Sequence, residues 1–214
     1  PRRKIGNNAA TMFSPITRPL RLDLAVYVGF AAFALITALA SGYRTHSIWG
    51  AFATAGYLLA AAHTVVLLAS GARTGWWGSR WTGAAAAFVV GMLAPLGFLV
   101  AARLDGGDWA DSPAAWAAQP EVWVIERSGL LLLETGTPYV DVFALDRPPE
   151  VDDYTPYGPA MALFGLPRAV ATQLGVSDLA VVQVITDARL WFVAVAALCV
   201  WLGLRLLGSP PVPI

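Results

Sequence analysis

Residues 24–40 read LAVYVGFAAFALITALA, an apolar run without a single charged side chain. It falls a little short of the roughly 20 residues that carry a helix across about 30 Å of hydrocarbon, and its flanks Leu20, Leu22 and Tyr43 supply the remainder. Such a run has neither the period-2 alternation of a half-buried strand nor the one-sided stripe of a surface helix. It reads as a helix whose surroundings are apolar all round.

The same pattern recurs along the chain. Residues 48–69 form a second run, and residues 83–102 a third, interrupted only by Pro95, which packing against neighbouring helices accommodates. Residues 190–207 form a fourth, with a start expected earlier, near Val181. Composition agrees: 57% of the 214 residues are hydrophobic and 13% charged, with a mean hydropathy of +0.60, against a charged share of about a quarter in soluble domains. The expected fold class is therefore all-α, a polytopic transmembrane helix bundle with a long extracytoplasmic loop carrying surface-lying helices. We divide it into a cytoplasmic basic N-terminus (1–22), three transmembrane helices (23–103), the loop with juxtamembrane helices (104–177), and a fourth transmembrane helix with a truncated C-terminus (178–214).

Charge orients the helices. The formal net charge is zero, yet Arg2, Arg3, Lys4, Arg18 and Arg21 crowd the N-terminus. Eleven of the fourteen acids lie between residues 104 and 157: Asp105, Asp108, Asp111, Glu121, Glu126, Glu134, Asp141, Asp146, Glu150, Asp152 and Asp153, against only Arg127 and Arg147. This separation is a topology signal and not a nucleic-acid one. The positive-inside rule keeps the N-terminus cytoplasmic, puts Arg73 and Arg80 inside, and delivers the loop at 104–157 to the extracytoplasmic face of the cell membrane. Arg205 returns to the cytoplasm, while Arg44 and Arg103 dissent. The only cysteine, Cys199, excludes an internal disulfide and a thiolate metal site, and no cleavable signal peptide is expected. Trp76, Trp77 and Trp81 read as an interfacial belt. His63, near the middle of the second run, reads either as a neutral imidazole bonded to a neighbouring helix through Thr64 or Thr54, or as a relay or ligand group.

A long carboxylate-bearing loop between apolar helices is where function is expected. Asp111, Ser112 and Pro113 form a helix-start signal for a short helix to about Ala118. Pro120 starts a second helix, with Val122, Ile125, Leu130 and Leu133 as an apolar stripe, Glu121 in its first turn and Gly136 as its C-cap. It is expected to lie on the membrane with its polar side up, leaving Glu126 and Arg127 to pair with groups across the site. Glu121 reads equally as a dipole-stabilised, solvated acid. A flexible acidic stretch follows, in which Asp152 and Asp153 form either a solvated turn or a cation-holding pair. Residues 160–174 read as a re-entrant or surface-lying helix, with Arg168 snorkelling toward headgroups.

Three segments together carry a resemblance: EVWVIER at 121–127, LLLLETGTPY at 130–139 and YTPYGPAMALFGLP at 154–167. In order and spacing they resemble the first external loop of bacterial GT-C class glycosyltransferases, most of all the polyprenol-phosphate-mannose-dependent mannosyltransferase-like integral membrane proteins of actinobacteria. The likeness covers residues 119–207, a little under half of the chain. Two departures stand out: Glu121 occupies a position where the family has aspartate, and the family's Tyr-Pro-Pro pattern appears as residues 154–159, YTPYGP. The family has more spans than four, so an N-terminal fragment is expected, with the first two spans an added hairpin.

The resemblance implies a hexosyltransferase, of mannose in the first instance, using a polyprenyl-phosphate sugar at the extracytoplasmic face for envelope glycan or glycolipid assembly. Glu121, or Glu126, would act as general base, with burial against Trp123 raising the pKa of Glu121. Arg127 would stabilise the departing phosphate, and Tyr139, Tyr154 and Tyr157 would hold sugar. It implies no metal and no cofactor beyond the donor; the expected partners are the lipid bilayer, the lipid-linked donor and a glycan or glycolipid acceptor, and no nucleic acid. The rival readings are a non-catalytic envelope accessory or binding subunit and a transporter whose His63, Asp187 and Arg189 line a polar path.

Overall fold

The computed structural model describes residues 17–70, 75–104 and 115–208; residues 1–16 of the basic N-terminus and the helix start at Asp111–Pro113 lie outside them, while Arg18 and Arg21, expected in that N-terminal segment, belong to the first helix. Every regular element among these residues is helical. Four helices are long and apolar enough to cross a membrane: Arg18–Ala40, Arg44–Ser70, Arg80–Arg103 and Ala188–Leu206. Their outward side chains are large and apolar, as with Phe33, Leu39, Val66 and Val200, which suits hydrocarbon and not water.

The chain forms two compact units. The first holds α1 (Thr17–Ala40), most of α2 (Arg44–Ser70), a 3-10 turn (Trp76–Gly78) and α3 (Arg80–Phe88). Small residues set its packing. Gly56 of α2 meets the backbone of Gly91 so closely that a Cβ there would lie 2.7 Å from the Gly91 nitrogen, and Gly50 bears on Ala34 and Ala38 of α1 in the same way. Close backbone approach through small side chains is how helices associate where no hydrophobic drive is available. Gly91 lies within a π-helical turn, Val89–Leu93, which ends two residues before Pro95. Proline removes a backbone N–H and its ring crowds the carbonyl four residues back, and the wider turn absorbs both.

Several polar groups of this unit are paired. Asp23 receives two hydrogen bonds from Arg80, at 2.6 and 2.7 Å. The His63 Nε2 donates to the Trp77 carbonyl at 2.8 Å, whereas Thr54 and Thr64 bond back to the carbonyls of Gly50 and Ala60 in their own helix. The imidazole therefore bonds to backbone at the 3-10 turn and to neither threonine. Trp76, Trp77 and Trp81 are exposed.

The second unit holds α4 (Ala94–Arg103), a 3-10 turn at Ala115–Ala117, α5 (Pro120–Thr135), a 3-10 turn at Val151–Asp153, a longer 3-10 stretch Pro159–Phe164, α6 (Leu166–Gln173), α7 (Ala180–Thr186) and α8 (Ala188–Leu206). Pro120 opens α5 at the position where a missing N–H costs nothing, and Gly136 closes it at φ 76°, donating its N–H to the Leu132 carbonyl at 3.2 Å. The buried face of α5 comprises Trp123, Val124, Ile125, Glu126, Ser128 and Gly129. This differs from the stripe expected from spacing: Ile125 is buried but Leu133 is exposed, because the helix buries itself against protein. Gly129 and Gly165 allow that. A Cβ on Gly165 would lie 2.9 Å from the Glu126 Cα and even nearer the Ile125 carbonyl oxygen.

Two further expectations give way here. Residues 160–174 are not one helix, since the 3-10 stretch breaks at Gly165 and α6 restarts with Pro167 in its first turn. The fourth candidate span does not begin near Val181, because Asp187, at ψ 122°, separates α7 from α8.

Candidate functional site

The second unit is organised around buried charge. Arg103, in the last turn of α4, donates from Nη1 and Nη2 to the two carboxylate oxygens of Glu126 at 3.0 and 2.6 Å, and from Nη1 to Asp187 Oδ2 at 3.0 Å. The side chains of Arg103, Glu126 and Asp187 are 6%, 5% and 1% exposed. Arg168 of α6 approaches Glu126 Oε2 to 3.2 Å and donates to the Gln183 carbonyl of α7. Arg189 clasps Asp187 through Nε and Nη2, at 2.8 and 2.7 Å, and reaches the Ala117 carbonyl at 2.7 Å through Nη1.

The break before α8 explains why both carboxylates are there. A helix N-terminus leaves its first N–H groups without intrahelical partners. Asp187 caps α8 by accepting from the Arg189 N–H at 3.0 Å, and Glu126 accepts the Ala188 N–H at 3.2 Å from another helix. Negative charge at that end also suits the helix dipole. Burial pushes the Asp187 carboxyl upward, but Arg189 and Arg103 outweigh it and hold it below the usual aspartate range. The pairing is mutual: each charge would be costly to bury alone.

Against this frame, the expected site residues divide. Glu126 pairs across the site as anticipated, and its oxygens are occupied by Arg103, Arg168 and the Ala188 N–H. Arg168 does not snorkel; it is buried and paired. Arg103, one of the two dissenters from the charge rule, is buried in the same cluster. Arg127 turns to the loop, donating to the Asp152 carbonyl and lying 3.8 Å from Asp153. Burial draws its pKa down, with Asp153 and Asp152 opposing.

Glu121 is exposed in the first turn of α5, and the buried Trp123 lies about 200° round the helix from it, so the expected burial of Glu121 against that indole does not occur. Its neighbour is Tyr157, whose hydroxyl pKa is raised first by burial and then by the Glu121 charge. Tyr139 donates its hydroxyl to the Tyr157 carbonyl at 3.2 Å, and Thr155 lies 3.5 Å from the Ser128 hydroxyl on α5. Tyr154 is exposed. Tyr139 and Tyr157, drawn from separate stretches, are therefore hydrogen-bonded, and the Glu121 charge acts on the Tyr157 hydroxyl.

The acidic stretch is not loose. Arg147 grips Asp153 through two hydrogen bonds at 2.6 and 2.9 Å, and the Glu150 N–H donates to the same carboxylate at 2.8 Å. Asp153 is buried, and these bonds, Arg147 foremost, hold its pKa at about 2. It is neither a solvated acid nor half of a cation-holding pair.

Sequence reasoning took Arg103 as an exception to the charge rule and Arg168 as a headgroup-facing side chain, and placed Asp187 and Arg189 only in the rival transport path. The signal for them was the appearance of lone charges at the ends of apolar runs, of both signs in similar number. The class these observations define is an all-helical protein with four helices able to span a membrane and a charge-locked unit joining the third to the fourth. Family models, curated proteins and solved structures provide no match to the chain.

Proposed function

We propose that the protein is a membrane glycosyltransferase of GT-C type that moves a hexose, mannose in the first instance, from a polyprenyl-phosphate donor at the extracytoplasmic face. What supports this reading is that Tyr139 is hydrogen-bonded to the Tyr157 carbonyl and the Glu121 charge acts on the Tyr157 hydroxyl, which links the three segments whose order in sequence resembles that family. An exposed carboxylate on a rigid helix beside aromatic hydroxyls suits a sugar site.

In the proposed reaction the Glu121 carboxylate takes the acceptor hydroxyl proton as its oxygen attacks the anomeric carbon. The bond from that carbon to the phosphate oxygen breaks, and polyprenyl phosphate departs with the electron pair. Tyr157 and Tyr139 orient the sugar. Glu126 is a positioning residue, since its oxygens are engaged. Asp187 and Arg189, paired and capping α8, are accounted for without the polar path that a transporter needs.

The test is transfer of radiolabelled mannose from polyprenyl-phosphate-mannose to membrane acceptors by the full-length protein and its Glu121→Gln variant. Loss of transfer in a folded variant supports the reading. Unchanged transfer removes Glu121 from the mechanism, and absence of transfer by the parent protein with any polyprenyl-phosphate hexose favours the accessory-subunit alternative.

A further inference from the structure

Residues 42–46, where α1 gives way to α2, belong to the second unit, and three of them bear on the segment that leads into α5. The Gln119 side-chain N–H donates to His46 Nε2 at 2.6 Å, so the imidazole accepts at that nitrogen. The Tyr43 ring meets the same imidazole edge to face, with centroids 5.1 Å apart. The Arg44 guanidinium lies 3.7 Å over the Trp116 ring, where the negative face of the indole attracts it. Arg189, from the buried charge cluster, donates to the Ala117 carbonyl, and Ala117 and Ala118 are buried. Residues 116–119 are therefore held by the turn at 42–46 and by the charge cluster together.

Gln119 is the N-cap of α5, extended at φ −76° and ψ 155°, yet its side chain makes no cap bond. An N-cap side chain ordinarily satisfies a free N–H of the first turn; this one is committed to His46 instead. Its backbone carbonyl accepts the Val122 N–H at 3.0 Å. Only Pro120, whose ring fixes φ, separates Gln119 from Glu121, so the place of the Glu121 backbone follows from that of Gln119. We propose that His46 is a positioning residue for Glu121, acting through Gln119, and that the turn at 42–46 is a clamp on the start of α5. The proposal rests on the reading of Glu121 as the base. A base works only within hydrogen-bond reach of the proton it takes, and a displacement of about 1 Å can cost about 100-fold in rate.

The experiment pairs amide hydrogen exchange with transfer kinetics in the full-length protein and its His46→Ala, Gln119→Ala, doubly substituted and His46→Gln variants. We expect the Val122 amide to exchange about fivefold faster in each alanine variant and no faster in the double variant, since the two side chains act as one pair. The Gly136 amide, which donates to the Leu132 carbonyl at the far end of α5, should keep the parent rate. Mannosyl transfer should lose at least about tenfold in kcat with the donor KM kept. His46→Gln, whose amide oxygen can accept in place of the imidazole nitrogen, should restore both readouts. Val122 exchange at the parent rate in both alanine variants would overturn the clamp, whatever happens to transfer. Faster exchange along the whole of α5 would reduce His46 to a structural role and overturn the proposal. Faster Val122 exchange with unchanged kcat, where Glu121→Gln abolishes transfer, would overturn the positioning role alone. A Glu121→Gln protein as fast as its parent would overturn that role together with the reading beneath it. If His46→Ala does not fold, Gln119→Ala decides by the same comparisons.

Discussion

Glu121 and Glu126 share one helix and have opposite surroundings. Glu121 looks out from the first turn beside Tyr157, whereas Glu126 is buried against Arg103 and Arg168 and accepts the Ala188 N–H. Removing one partner of a buried ion pair leaves the other uncompensated, at a cost of about 3–5 kcal/mol. Glu126→Gln should therefore lower the unfolding midpoint in detergent markedly, and Glu121→Gln should leave it nearly unchanged, since exposed substitutions usually stay within about 0.5 kcal/mol. Thermal scans of the two variants side by side check this. The sequence shows both acids, but spacing along α5 does not tell which is buried, because that depends on Arg103 and Asp187 from distant elements.

At the scale of elements, α5 was legible and its packing was not. Pro120 and Gly136 mark its ends in the sequence, and both hold. Its buried face could not be read, because Gly129 and Gly165 let backbones meet where no apolar side chain announces a contact. Gly165→Ala should destabilise the second unit by about 1–3 kcal/mol, the usual cost of overpacking, visible as faster proteolysis between α5 and α6. The strap formed by Arg147 and Asp153 behaves differently with pH. A carboxyl whose folded pKa lies at about 2, below its ordinary 3.8, contributes stability that is fully present above the ordinary value and is lost as pH falls through about 2. Limited proteolysis of the 147–153 segment should thus be flat from pH 8 to about pH 5 and rise only below about pH 4, and Arg147→Gln should shrink that acid step, leaving the part owed to the Glu150 N–H and Arg127.

For the whole molecule, the four apolar runs fixed the helical class, since hydrophobicity all round a helix needs no partner to be recognised. The break at Asp187 was missed because two helices with apolar flanks read as one run, and the carboxylate there is explained by its cap on α8 and its contacts with Arg103 and Arg189. Charge separation along the chain leads us to expect the loop outside the cell. In a Cys199→Ser background, a cysteine at Glu150, whose side chain is 75% exposed, should react with a membrane-impermeant maleimide on intact cells; reaction only after lysis would invert the topology. The central claim rests on Glu121 as the base. Its most direct test is the rate of mannosyl transfer from polyprenyl-phosphate-mannose by full-length parent, Glu121→Gln and Glu121→Asp proteins, each confirmed folded. The account predicts a loss of about 10²–10⁴-fold in Glu121→Gln with substantial activity kept by Glu121→Asp, and a Glu121→Gln protein as fast as its parent would contradict it.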